Sequence, residues 1–467
     1  GAGRKITINS TGPSNKGFVN DGTFDASTGI VSFEGQANQT QKIRGQANDF
    51  NIVDVSGAST TVVQGFESGY DDIDIAGALY VHKGKFQTYG DKLHCTGPVV
   101  VSGTGILDMY TSDDGSSSHR LASLSMTADA TVLAPPGTLK LNGAPRGGYT
   151  MYNPEGTFTH NDGLVAIEFT GTDAVQVRNQ SGFYDYEQTL GASSHRVNWR
   201  GKGSSPYAFT IGRNCTIKEG SFRPTATSNT IIISGALEVQ DGGNYGYSAG
   251  DFETKATIGS IDIKTGGNMY APKKHGNDPD SGILTVKGNW TMQSDTAVFH
   301  HNSGTVNIAA NCETFPTDYD SSENARHVFY NVSHSAGTFY IERPIIIENS
   351  YYKSGGDTPQ YAKVTFGTTS SAGSLTVNSG EWKLYGYYGN PYLYAASEAY
   401  PVAISGTATT VINWDNVDNA SRPLPLGPTT NHLKWIDYQK DLSTGGGTTS
   451  GARFKLDGNC KFKDFTL

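Results

Sequence analysis

The amino-acid sequence predicts an all-β protein, a parallel β-helix or closely related β-solenoid, on three observations. Short alternating strand patterns fill the chain, glycine punctuates them, and two motifs recur at spacings that suit stacked coils. Lys5–Ile8, Ile30–Phe33, Thr60–Val63, Ile231–Ile233 and Thr305–Ile308 each read as a strand bounded by Gly, Ser, Asn or Asp. The nearest approach to a helical pattern is Leu393–Tyr400, which is short and bounded by Pro391 and Pro401.

Glycine supplies 58 of 467 residues, well above the usual level of about 7%. Proline is only 18, and no Gly-X-Y period is visible, so the glycine signals neither disorder nor collagen. Apolar residues make up 36% and aromatics 11%, enough for a core but a thin one, which suits an extended β architecture.

The first motif is Gly-Ala/Ser-Leu/Ile-x-Val/Ile-x-x-Gly. It begins at Gly77, Gly235, Gly259 and Gly373. The copies at 235 and 259 are 24 residues apart, Ile283–Val286 lies another 24 on, and Gly103–Ile106 lies 26 after Gly77. Such a step is one solenoid coil of three short strands. The motif's Leu and Val are two apart and share the inward face, glycines take the corners, and stacked coils bury what one coil cannot. A right-handed coil is expected from the general crossover preference.

The second motif is Phe, five residues to Gly, then a strand. It occurs as Phe24…Gly29-Ile30-Val31, Phe158…Gly163-Leu164-Val165 and Phe299…Gly304-Thr305-Val306. An aromatic follows 26 residues after the Phe in the first two copies, at Phe50 and Tyr184, and 30 after it in the third, at Phe329. These units predict three solenoid segments, 1–150, 151–290 and 291–467, the last with a loop-rich, aromatic C-terminal cap.

Gly156-Thr157-Phe158-Thr159-His160-Asn161-Asp162-Gly163, Gly373-Ser374-Leu375-Thr376-Val377-Asn378-Ser379-Gly380 and Leu284-Thr285-Val286-Lys287-Gly288-Asn289-Trp290-Thr291 resemble repeats of two groups. One is the virion structural proteins of tailed bacteriophages, particularly fibres and large structural proteins of marine phages; the other is bacterial surface adhesins. The end of the chain, Leu456–Leu467, is similar to the closing strand of such phage proteins. The resemblance implies a β-helical structural protein, often a homotrimer in phage fibres, and carries over no catalytic residue. The expected function is a virion surface protein (fibre, spike or capsid-attached appendage) with other virion proteins as partners and a host or glycan surface as its target. The rivals are an adhesin or extracellular filament subunit and a glycan-degrading tailspike.

Composition excludes other classes. The net charge is −9 with Lys and Arg scattered, the opposite of a nucleic-acid groove. No apolar run approaches the roughly 18 residues of a membrane helix. The start, Gly1-Ala2-Gly3-Arg4, has no initiator Met or apolar leader and reads as a processed or truncated product. Cys95, Cys215, Cys312 and Cys460 have no C-x-x-C spacing, so neither zinc nor a redox motif is expected, and no other cofactor is called for. They read as small buried hydrophobes rather than as disulfides, whose geometry is strict.

Candidate sites are few. Trp382, Tyr385, Tyr387, Tyr388, Tyr392, Tyr394 and Tyr400 crowd a short stretch. Aromatic planes with polar handles suit stacking on sugars or receptors, and equally a local core or subunit interface. Asp318 and Asp320 are the first choice for calcium, against the reading of solvated loop carboxylates. Glu238 and Asp262 occupy equivalent motif positions one coil apart, a possible hydrolytic pair, or two exposed strand residues stacked with Lys264. His300 and His301 are adjacent and face opposite ways. His160 and His301 each lie two residues after a repeat Phe, which marks a corner of the repeat.

Overall fold

The computed structural model describes residues 4–385 except 10–17, 21–23, 26, 36–39, 46–47, 59, 65–71, 89–91, 111–117, 144–147, 154, 172–173, 201–207, 225–229, 248–254, 275–280, 295, 316–326 and 381. Beyond these it describes 393–396, 402–405, 412–415, 424–425, 438–439 and 454–455. Among the described residues there is no helix; short parallel strands stack as a β-solenoid of about 12 turns. The chain divides into two compact units, Gly1–Ser234 and Gly235–Leu467, a division that does not coincide with the repeat-based boundaries at 150 and 290.

In the first unit three ladders build the coil. One inward column runs Val31, Val53, Leu79, Val99, Leu124, Met151, Val177. A second runs Gln41, Val62, Phe86, Leu107, Val132, Phe158. A third runs Phe50, Ile75, Cys95, Leu121, Leu141, Ile167, Gln188, Ile217. The register step is not constant: the coil from Leu79 to Val99 is shorter than the one from Leu124 to Met151. Coil length varies because the turns vary, while the inward alternation stays fixed: a one-residue slip would turn each apolar side chain outward.

The nine-residue strands turn a corner in mid-course. In Leu93–Val101 the pattern Leu93-His94-Cys95 feeds one ladder and Val99-Val100-Val101 the next, with a register shift between Cys95 and Pro98. The Gly77 motif is such a corner, and its stacked partner is Gly97-Pro98-Val99. Gly103–Ile106 belongs to another face, where Ile106 pairs with Lys85.

In the second unit two adjacent inward columns run Ala256, Leu284, Val306, Val332, Tyr351, Leu375 and Ile258, Val286, Ile308, His334, Lys353, Val377. Ile283–Val286 stacks on the Lys255–Ile258 half of its neighbour, whereas the Gly259 motif is followed one coil on by Gly288-Asn289-Trp290, with Ile261 against Trp290. The regular step from Gly259 to Ile283 therefore joins two different faces. Leu393–Ala395 is not helical but a strand paired with Val364–Phe366, as the flanking prolines and the Leu-x-Ala alternation allow.

Cys95, Cys215 and Cys312 are buried and unpaired with one another. Burial pushes the thiol of Cys95 up to about 11 and that of Cys312 up to about 12, and raises Cys215 further. Because the thiolate is the reactive form, these three are expected to resist a thiol reagent in the native protein and to label fully in denaturant. Peptide mass spectrometry checks this; native labelling at any of the three would contradict their placement.

Candidate functional site

The second motif folds twice into the same corner, once in each unit. In each copy the Phe points inward, and the chain then reverses through two residues in the left-handed region, Asn161 (φ 48°) with Asp162 (φ 60°), and Asn302 (φ 47°) with Ser303 (φ 56°). Asn tolerates this conformation because its side chain bonds locally. Here the amides of Asn161 and Asn302 donate to the carbonyls of Ala134 (2.7 Å) and Ala271 (2.8 Å) on the neighbouring coil. The Asp162 and Ser303 amides donate to Nδ1 of His160 (3.1 Å) and His301 (3.0 Å). The following glycine is required by contact: a Cβ at Gly163 would lie 2.1 Å from the Pro135 carbonyl oxygen, and one at Gly304 2.4 Å from that of Pro272. In the first copy, at Phe24, Ser27 has a positive φ (49°) before Gly29, and the segment holds no His.

Each corner histidine stacks on a tyrosine of the next coil: His160 on Tyr184 (5.5 Å, 26°) and His301 on Tyr330 (5.7 Å, 21°). The inward aromatic that follows the corner is Phe50, Phe183 and Phe329, all buried. The repeat partner of Phe50 is thus Phe183, one residue before Tyr184. Over Tyr184 sits the Arg213 guanidinium, 4.9 Å from the ring centre and forked onto Asp185, with Nε to Oδ1 at 2.9 Å. Asp185 raises the arginine pKa further. In the second unit His301 Nε2 lies 3.1 Å from Glu348 Oε2. His300 lies over Tyr270 (4.2 Å, 7°), and burial, then the neighbouring His301, lowers its pKa. These arrays lock coil to coil and present the Arg213 guanidinium and, half-buried, the Glu348 carboxylate at the surface, while Asp185 is buried beneath its arginine. The histidine nitrogen that would serve as a base, Nδ1, is already accepting a backbone N–H.

Trp382 is not a surface contact. In-register pairing with Thr358 carries it into the core, where it is 1% exposed, donates its indole N–H to Gln360 (2.8 Å) and packs 5.0 Å from Tyr351. Strand alternation decides this, and the crowding of aromatics in sequence does not. Tyr385 and Tyr394 lie on strands Trp382–Tyr385 and Leu393–Ala395, their side chains outside the described part. Tyr387, Tyr388, Tyr392, Tyr400, Asp318 and Asp320 lie outside the described residues. Glu238 and Asp262 share Lys264, whose Nζ is 2.5 Å from Asp262 Oδ2 and 3.9 Å from Glu238 Oε2. Gln293 also donates to Asp262 (3.2 Å). The two carboxylates are strapped by a cation, as the stacked-strand reading has it. Among the described residues no cluster of His, Cys, Asp and Glu is arranged to hold a metal.

Sequence reasoning missed a polar cluster inside the second unit. His334 and Lys353 are each 0% exposed and are Cα partners on successive coils. His334 Nε2 donates to the Gly337 carbonyl (3.1 Å), which leaves Nδ1 to accept from the Tyr351 hydroxyl (3.1 Å) or that of Thr358 (3.3 Å). Lys353 Nζ donates to the carbonyls of Gly355 (3.1 Å) and Gly356. Burial, and then Lys353, press the His334 pKa down to about 4. Burial presses Lys353 down to about 8, and it raises Tyr351. The signal was present: Val332-Ser333-His334 and Tyr351-Tyr352-Lys353 place both basic residues two after an inward residue.

No family model matches the chain, nor does any curated protein or solved structure.

Proposed function

We propose that the chain is a structural surface protein of a tailed-phage virion, a fibre, spike or capsid-attached appendage. It would assemble as a homotrimer with other virion proteins and offer its surface to a host glycan or receptor. The observation that supports this reading is the use of polar side chains as straps between neighbouring coils. Lys5 pairs with Glu34, Lys85 with Asp108, Lys140 with Glu168 and Lys218 with Glu187. An exposed pair such as Lys5 with Glu34 contributes little by itself, but pairs repeated along a solenoid tie each coil to the next. A chain built this way resists deformation, the property a fibre or spike requires, and the Phe-Gly repeats resemble those of phage structural proteins.

Immunogold electron microscopy with antibody to this chain tests the assignment on phage particles and host cells from the same source. Gold on the particle surface is the expected result. Gold confined to the cell envelope would replace it with the adhesin reading. Release of reducing ends from host capsule or lipopolysaccharide, lost in a carboxylate variant, would replace it with the tailspike hydrolase.

A further inference from the structure

We propose that the adjacent coils His327–His334 and Ile345–Lys353 form an acid-labile seam in the second unit, opened by protonation of His334 beside the buried ammonium of Lys353. The geometry carries this. The column containing the pair is otherwise apolar: Ile308 precedes His334 and Val377 follows Lys353. The groups facing the pair from the elements packed around it are the hydroxyls of Tyr351 and Thr358, the Cys312 thiol beside Tyr351, the ring of Phe339 and the Asp357 carboxylate of the turn. Asp357 is the one carboxylate among them that acts on both bases. It lies at a solvent-exposed turn, so among the described residues one counter-charge serves two cations. A proton on Nδ1 also removes the acceptor that the Tyr351 and Thr358 hydroxyls share. Separating the coils hydrates both charges.

The direction follows from the two protonation states. An unfolded histidine titrates near pH 6.5, whereas folded His334 stays neutral to about pH 4. Between these values the unfolded chain binds the extra proton, so stability falls as pH falls. Lys353 acts in a separate window. Its folded pKa is about 8 against roughly 10.4 unfolded, so stability rises as pH rises through that interval.

Hydrogen exchange with mass spectrometry on the full chain at pH 7 and pH 4.5, corrected for intrinsic exchange, tests the seam. Peptides covering 327–334 and 345–353 are expected to lose protection selectively, by up to about tenfold per pH unit, while 255–263 and 283–286 hold theirs. His334→Gln, which keeps an amide in place of the ring, is expected to abolish the selective loss. Lys353→Met is expected to raise protection of the seam at pH 7 and shrink the acid loss, and it serves if His334→Gln does not fold. Uniform loss across the unit in the unaltered chain, or an unchanged selective loss in either variant, would overturn the proposal.

Discussion

Gly356→Ala is expected to lower the stability of the second unit by about 4 kcal/mol or more, at the upper end for single substitutions. Gly356 has φ +69°, and a Cβ there would sit 1.9 Å from the Gly337 carbonyl oxygen and 2.6 Å from His334 Nε2. Gly380, one coil further, repeats the arrangement with φ +78° and a Cβ 1.8 Å from the Gly356 carbonyl oxygen. Each turn therefore stacks its carbonyl directly against the next glycine, and no side-chain motion relieves a clash between backbones. Gly148 is the control: its φ is +88°, but its nearest neighbour would be a Gln176 side-chain atom at 3.3 Å. Gly148→Ala should lose only the left-handed penalty, about 1–2 kcal/mol. Urea unfolding of both variants, with hydrogen exchange to locate the loss, checks the difference. Equal losses would mean that the stacked carbonyls do not constrain the turn.

Trp199→Ala should destabilise the first unit by about 3–5 kcal/mol, the range for truncating a buried aromatic. Trp199 sits among Phe209 (4.1 Å between ring centres), Tyr186 (5.2 Å), Phe222 (5.2 Å) and Phe183 (5.6 Å), drawn from successive coils. These four neighbours are rigid rings that cannot refill that volume. Solenoid coils contact only their neighbours, so the loss of exchange protection should centre on 183–224 and fade along the unit. A loss below about 1 kcal/mol, or one spread evenly over the first unit, would contradict this packing.

Much of the fold was legible because inward alternation leaves a direct trace. Val-x-Val and Leu-x-Val pairs mark the columns, and the Phe-to-Gly motif marks a corner whose φ angles and hydrogen bonds recur at Asn161 and Asn302. What misled was spacing. Gly103 follows Gly77 at the interval of one coil, yet the true partner is Gly97, because coil length depends on turns whose insertions leave the inward pattern intact. The same limit hid the His334 and Lys353 pair, separated in sequence by a turn and a strand but facing each other across one ladder step. For Trp382 the sequence left a sugar or receptor contact and a local core both open, because its neighbours in sequence are tyrosines; its neighbours in space, Tyr351 and Gln360, place it in the core. The corner histidines do stand at a corner of the repeat, as their place two residues after the Phe indicates, each held by a bond from the backbone two positions on.

The proposed function requires that the solenoid assemble as a homotrimer. The mass in solution by light scattering, followed by electrophoresis in SDS with and without boiling, tests it most directly. Three chain masses in solution, and a band of that size that survives unboiled SDS, are expected. A monomer under both conditions, at concentrations where virion proteins associate, would contradict it.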